Sequence, residues 1–177
     1  MKVITEAPEF RSAVRYYTPM LFDPADTGVA IGDIGLGNQI LLWSFRRWAM
    51  SRKQGCPLEP LMGMYGLPGI PEATEIVEEM MTLLERCSLR PIRTQLVRAA
   101  TVGSDELLLL TVVRAVQQNN LTLAKRLIAR VLPGALNAVF VRCVCALTSC
   151  LDLCDLELTR ISYLYVVYCD DRRSKEG

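Results

Sequence analysis

Ser104-Asp105-Glu106-Leu107-Leu108-Leu109-Leu110-Thr111-Val112-Val113-Arg114-Ala115-Val116, then Gln117-Gln118-Asn119-Asn120, then Leu121-Thr122-Leu123-Ala124-Lys125-Arg126-Leu127-Ile128-Ala129-Arg130-Val131-Leu132, is the stretch on which the fold turns. Ser104 suits an N-cap, and Asp105 and Glu106 suit a first helical turn, where the helix dipole favours negative charge. Leu107–Val116 is apolar on nearly every side, which predicts a helix enclosed by other elements. The four polar residues after it make a tight turn. In the next segment Leu121, Ala124, Leu127, Ile128 and Val131 share an inward side, while Lys125, Arg126 and Arg130 lie outward. A connection this short predicts an antiparallel helical hairpin over Glu106–Leu132.

Pro133-Gly134 interrupts the pattern, and a second helix apolar all round follows over Leu136–Cys154, expected at the centre beside Leu107–Val116. The span Leu132–Leu151 meets the length of a membrane crossing, roughly 20 residues. Arg142 near its middle, Pro133, Gly134 and Asn137 near its start, and the acidic flank Asp152, Asp155 and Glu157 argue for a buried core helix with no membrane insertion.

Upstream, a helix is expected to begin between Asp33 and Asn38 and to run to about Lys53. Leu41, Phe45, Trp48 and Arg52 share one face, with Leu42 and Ala49 beside them. Another spans Pro71–Cys87, with proline at the first helical position. It has Ile76, Met80 and Leu83 or Leu84 on an apolar side, and Glu72, Glu75, Glu78 and Glu79 on an acidic one. Gly55–Pro71 between them reads as a long Gly- and Pro-rich loop. Glu9–Tyr17 reads as a short helix and Phe22–Gly28 as a turn-rich loop. Ser88–Val102 is open: Ile92, Thr94 and Leu96 alternate as a strand does, but the run is short and basic. Glu157–Cys169 has helical spacing at Leu158, Ile161, Tyr165 and Tyr168 and strand propensity at Ser162–Tyr168; helix is the preferred reading.

The predicted fold class is all-α, an irregular bundle of six or seven helices, with a short C-terminal strand as the alternative at 157–169. One domain is expected over 1–177, with an irregular N-terminal region over residues 1–71, a helical core over 72–169 and a polar tail over 170–177.

Composition narrows the chemistry. The chain of 177 residues has seven cysteines and no histidine. That removes histidine general bases, Ser-His and Cys-His nucleophile pairs, and every histidine-bearing zinc site. A net charge of +1 supplies no overall field toward nucleic acid or anionic lipid. The start Met1–Pro8 lacks the succession of a signal peptide, so cytoplasmic residence with reduced thiols is expected, and the odd cysteine count agrees.

Five clusters carry candidate chemistry. Cys143, Cys150 and Cys154 fall along one side of a helix, with Cys145 elsewhere; three thiolates on a stripe could ligate iron–sulfur or a soft metal. Their spacing matches no established ligand pattern, the stripe continues into Leu136, Phe140 and Leu147, and a core face is preferred, with no cofactor expected. Gly32–Asn38 is a glycine-rich helix entry, but its order differs from a dinucleotide fingerprint and no βαβ unit follows. Trp43, Arg46, Arg47 and Trp48 combine residue types enriched at interfaces, with Trp43 and Arg47 stacking at four-residue spacing. On the interface reading, replacing Arg46 and Arg47 by alanine should leave folding intact but weaken a partner complex; the alternative reading buries Phe45 and Trp48 and pairs the arginines with the Glu72–Glu79 face. The 106–132 hairpin superficially resembles a helix-turn-helix, with Thr122, Lys125 and Arg126 as candidate DNA contacts. Glu75 and Glu79 read as a solvated pair.

The function expected from these features is non-enzymatic and cytoplasmic, acting through a protein interface with a partner or a second copy of itself in a homodimer. A DNA-binding regulator using residues 106–132 is the second reading, although nucleic acid is not the favoured partner. A thiol-based metal or redox protein, which needs bound iron or a thiolate of lowered pKa, is the third.

Overall fold

The computed structural model describes residues 21–22, 26–55 and 71–161. Among them are five α-helices: α1 (Leu36–Gln54), α2 (Pro71–Cys87), α3 (Ser104–Gln117), α4 (Leu121–Ile128) and α5 (Gly134–Leu153). Short strands β1 (Leu21–Phe22), β2 (Asp26–Ala30), β3 (Arg93–Thr94) and β4 (Thr101–Gly103) accompany them, with a single 3-10 turn at Ile31–Asp33. β2 and β4 form a small antiparallel sheet with Asp26 opposite Gly103 and Ala30 opposite Thr101. β1 runs parallel to β3 over two residues.

Four successive leucines cannot all face one side of a helix, so α3 is stable only if it is surrounded. Leu107, Leu108, Leu109 and Leu110 are all buried, with α1, α4, α5 and the strands packed around them. α3 starts one residue after its cap, and that cap is Gly103 rather than Ser104. The Gly103 N–H donates to Glu106 Oε2 at 2.7 Å, so the glutamate supplies the reciprocal half of a capping interaction. Asn119 takes a left-handed turn at φ 58°, and the Asn120 side chain caps α4 by accepting from Leu123 N at 3.1 Å.

α4 ends at Ile128, short of the expected Leu132. Its last turn tightens through Arg130 N to Leu127 O and Val131 N to Ile128 O, and Pro133 removes the donor a further turn needs. Leu121, expected inward, is 42% exposed; Ala124, Leu127, Ile128 and Val131 are buried as the pattern required.

The bundle therefore has fewer helices than the six or seven expected, and all-α is too narrow a class for it. Two segments account for most of the difference. Residues 88–103 resolve toward strands β3 and β4, and 157–161, where helix was preferred, is neither helix nor strand. The expected helix Glu9–Tyr17, most of the Gly55–Pro71 loop, the run 162–169 and the tail 170–177 lie outside the described residues.

Why the chain after α5 stays extended is visible in its partners. Asp155 adopts φ 54°, which ends the helix. Leu156, Leu158 and Ile161 then point into the core. An extended segment without a neighbouring strand has backbone groups to satisfy, and side chains do it here. Gln117 Nε2 donates to Leu156 O at 2.9 Å, and its Oε1 accepts from Leu158 N at 2.9 Å. Arg114 Nε donates to Leu158 O at 3.2 Å. The fully buried Asn38 accepts from Thr159 N at 2.9 Å, and its Nδ2 donates to Thr159 O at 3.4 Å.

This segment also explains the glycines at the start of α1. The Gly35 N–H donates to Thr159 Oγ1 at 3.1 Å. A Cβ on Gly35 would sit 2.6 Å from Thr159 Cγ2, and one on Gly37 would sit 2.8 Å from the carbonyl oxygen of Glu157. Gly32 has open space instead. Gly37→Ala is accordingly expected to cost about 1–3 kcal/mol of stability through overpacking against backbone. Gly32→Ala should stay within about 0.5 kcal/mol of the parent. Denaturant midpoints of the two variants provide the check.

Candidate interaction surfaces

On α1, Leu42, Arg46 and Ala49 are separated by four and three residues, which places them on one face. All three are buried, and Arg46 is 1% exposed. Its Nε and Nη2 each donate to Glu106, to Oε1 and Oε2, both at 2.8 Å. Nη1 donates to Ala99 O at 2.9 Å and Nη2 to Thr101 O at 2.6 Å. Glu106 Oε1 also accepts from Gln95 N at 2.9 Å, and Oε2 from Gly103 N at 2.7 Å. Each carboxylate oxygen thus receives two donors, which uses its acceptor capacity in full. Arg46 is a strut joining α1, α3 and the 95–103 segment, and it is not available to a partner at the surface.

Trp48 is also interior, at 1% exposure, and its Nε1 has no partner among the described residues. The Arg52 guanidinium lies 5.8 Å from the Trp48 ring centroid and donates to Glu85 Oε2 at 3.0 Å, tying α1 to α2. Of the four residues expected at an interface, only Trp43 and Arg47 reach the surface. Both are half-buried, with the Arg47 guanidinium 5.2 Å from the Trp43 ring centroid. Arg46, expected to pair with the Glu72–Glu79 face, pairs with Glu106 instead.

A second ion pair braces the same end of α3. Arg90 makes a bidentate contact with the buried Asp105, whose Oδ2 also accepts from Arg93 N at 2.9 Å. Asp105 and Glu106, which suit a helix N-terminus in sequence, are here the buried anchors of the 90–103 segment.

The stripe of Cys143, Cys150 and Cys154 lies where α5 meets α2, half-buried against the core edge. Among the described residues, no three His, Cys, Asp or Glu side chains converge as a metal site. Burial, the charge of Glu79 and a hydrogen bond to it push the Cys143 thiol up. Burial, then the charges of Glu72 and Cys154, push Cys150 up. The third functional reading needed bound iron or a thiolate of lowered pKa, and of these the second runs the other way at Cys143 and Cys150.

Those contacts fix how the helices pair. Glu72 sits by Cys150 and Glu79 by Cys143, so advancing seven residues on α2 retreats seven on α5, and the two run antiparallel. The side of α5 turned away from the core carries Ala135, Ala138, Arg142, Ala146, Ser149 and Leu153, all exposed. Leu153 is 85% exposed. α5 is long and apolar enough to cross a membrane by length and composition, with a mean hydropathy of 1.7, yet 33% of that window is buried. It is therefore not the central helix its composition predicts. Beside it, α2 exposes Glu72, Glu75, Glu78 and Glu79.

The α4 surface is of another character, exposing Thr122, Lys125, Arg126 and Arg130. At the glycine-rich entry of α1, the Gly35 N–H that a phosphate would need is occupied by Thr159. Comparison with protein-family models, curated proteins and solved structures returns no match to this chain.

Arg46 and Glu106 form one unit, and their substitution should show it. Arg46→Met or Glu106→Leu alone is expected to cost about 3–5 kcal/mol, because each strands a buried charge. The double variant should lose much less than the sum of the singles. Glu106→Gln should behave like a disruptive single change despite its shape: whichever way the amide is turned, its NH2 faces two N–H donors. Urea unfolding of the four proteins measures this, and additive losses would contradict the pairing.

Proposed function

We propose that this protein acts in the cytoplasm without catalysing a reaction, by presenting the outer face of α5 to a partner protein or to a second copy of itself. The observation carrying this reading is the mismatch between composition and burial in α5. A helix this apolar is ordinarily enclosed, and its outer face carries alanines and Leu153, with Arg142 and Ser149 among them, where a surface helix is usually polar. Ala135, Ala138, Ala146 and Leu153 are exposed on that surface among the described residues. The small side chains let another helix approach closely. Free thiols at the described cysteines suit a reducing compartment.

A photo-crosslinking side chain at Ala146 tests the reading in the protein's native cells. It should capture a discrete protein product, and the same group at exposed Asp155 should not. Introducing Ala138→Glu with Ala146→Glu should abolish capture while leaving the melting curve unchanged. Equal labelling from both positions, with a strictly monomeric particle, overturns the proposal.

A DNA-binding reading keeps one observation in its favour, the exposed Thr122, Lys125, Arg126 and Arg130 on and just after α4. It predicts duplex binding that falls steeply with salt through counterion release. Affinity that is absent, or insensitive to salt, removes it.

A further inference from the structure

α2 and α5 pack antiparallel, with Glu79 at Cys143 and Glu72 near Cys150, which brings Ile76 near the level of Ala146 and Leu83 near that of Val139. Ile76, Leu83, Cys143 and Cys150 are half-buried against the core and line the seam between the helices. Half-buried apolar side chains follow this seam for about three helical turns, close to 17 Å at 1.5 Å per residue, with Glu79 reaching across to Cys143. The two banks of the seam differ. The α5 bank is small and nearly neutral, with Ala138, Ala146 and Ser149 around a single cation, Arg142. The α2 bank is a row of exposed carboxylates, Glu72, Glu75 and Glu79.

We propose that the α2–α5 seam is a docking groove for a basic amphipathic helix of a partner protein. Its apolar side lies on Ile76, Leu83, Val139 and Ala146, and its lysines or arginines face Glu72, Glu75 and Glu79. The inference rests on the interface reading above and assigns the partner its chemistry. An apolar stripe flanked on one side by charge is how a groove selects one face and one orientation of an incoming helix. Charge complementarity chooses among the occupants. An anionic lipid surface or nucleic acid would meet the glutamate bank with like charge. A second copy docked with its α2 over this α2 would set the two glutamate rows against each other.

The seam carries its own probe. Cys143 and Cys150 lie in it, whereas Cys145, two residues on and about 200° around the helix from Cys143, faces elsewhere. The test uses the full chain and a synthetic leucine–lysine peptide with leucines at i, i+3, i+4 and i+7, and a leucine–glutamate peptide of the same pattern. Alkylation rates at each cysteine are read by peptide mass mapping, and affinity by fluorescence anisotropy. The lysine peptide should slow Cys143 and Cys150 and leave Cys145 unchanged, and the glutamate peptide should do neither. Reversing Glu72, Glu75 and Glu79 to lysine removes three exposed charge pairs and should weaken binding by about tenfold or more. Glu78→Lys, on the opposite flank of α2, should leave the protection in place. No binding, or binding without protection of Cys143 and Cys150, overturns the proposal. So does protection that grows with protein concentration alone, which gives the seam to a second copy. Protection already complete in the isolated monomer gives it to another segment of the same chain. Protection by neutral lipid vesicles gives it to a membrane. If the peptide fails while crosslinking from Ala146 still captures a protein, the basic-helix assignment falls and the interface reading stands. If both fail, both fall.

Discussion

An arginine and a glutamate, each with a fully buried side chain, hold the described region of this molecule together. Taking two charges out of water is costly, and their attraction offsets that cost only when every remaining donor and acceptor finds a partner. Here the carboxylate of Glu106 is saturated by Arg46, Gln95 and Gly103, while Arg46 also reaches the carbonyls of Ala99 and Thr101. The same contacts that neutralise the pair fix the path of residues 95–103. That segment is short of regular structure because its backbone groups are engaged by side chains. The pair supplies geometry: it sets where β4 runs, and through Gly103 it sets where α3 begins.

The other end of the bundle follows the same logic with neutral groups. Asn38, Arg114 and Gln117 stand in for a missing strand and hold the extended chain from Leu156 to Thr159. Gly35 and Gly37 leave the room this chain needs. A glycine-rich helix entry, which in other contexts receives phosphate, here receives the protein's own threonine.

Helical periodicity revealed most of the architecture. The bounds of α2 match the sequence reading, and α1 and α3 differ from it by little, because an apolar stripe, a first-turn proline and a terminal glycine are local signals. Residues 88–103 and 157–161 were not legible, because side chains 11 to 121 positions away determine them. Arg46 carried a clue that charge obscured. It sits four residues after Leu42 and three before Ala49, on the core face of α1, and Glu106 opens an all-apolar helix that had to be buried. The exposure of α5 was hidden in the opposite sense, since composition alone does not distinguish a helix enclosed by its own chain from one that offers a face to something else. The Trp43–Arg47 contact was readable from its spacing, and so was the stripe of cysteines, although the glutamates that adjoin it were not.

The order of synthesis works against the first turn of α1. That turn leans on Thr159, and Asn38 and Thr159 are separated by 121 positions. At synthesis rates of about 5–20 residues per second, that separation corresponds to roughly 6–24 s on the ribosome. Throughout that interval the nascent α1 has no Thr159 to hold the N–H of Gly35, and Asn38 is a polar side chain awaiting its partner. The helix that is made earliest among those described is among the last to be completed, and until Thr159 emerges its N-terminal end stays open to chaperones and proteases.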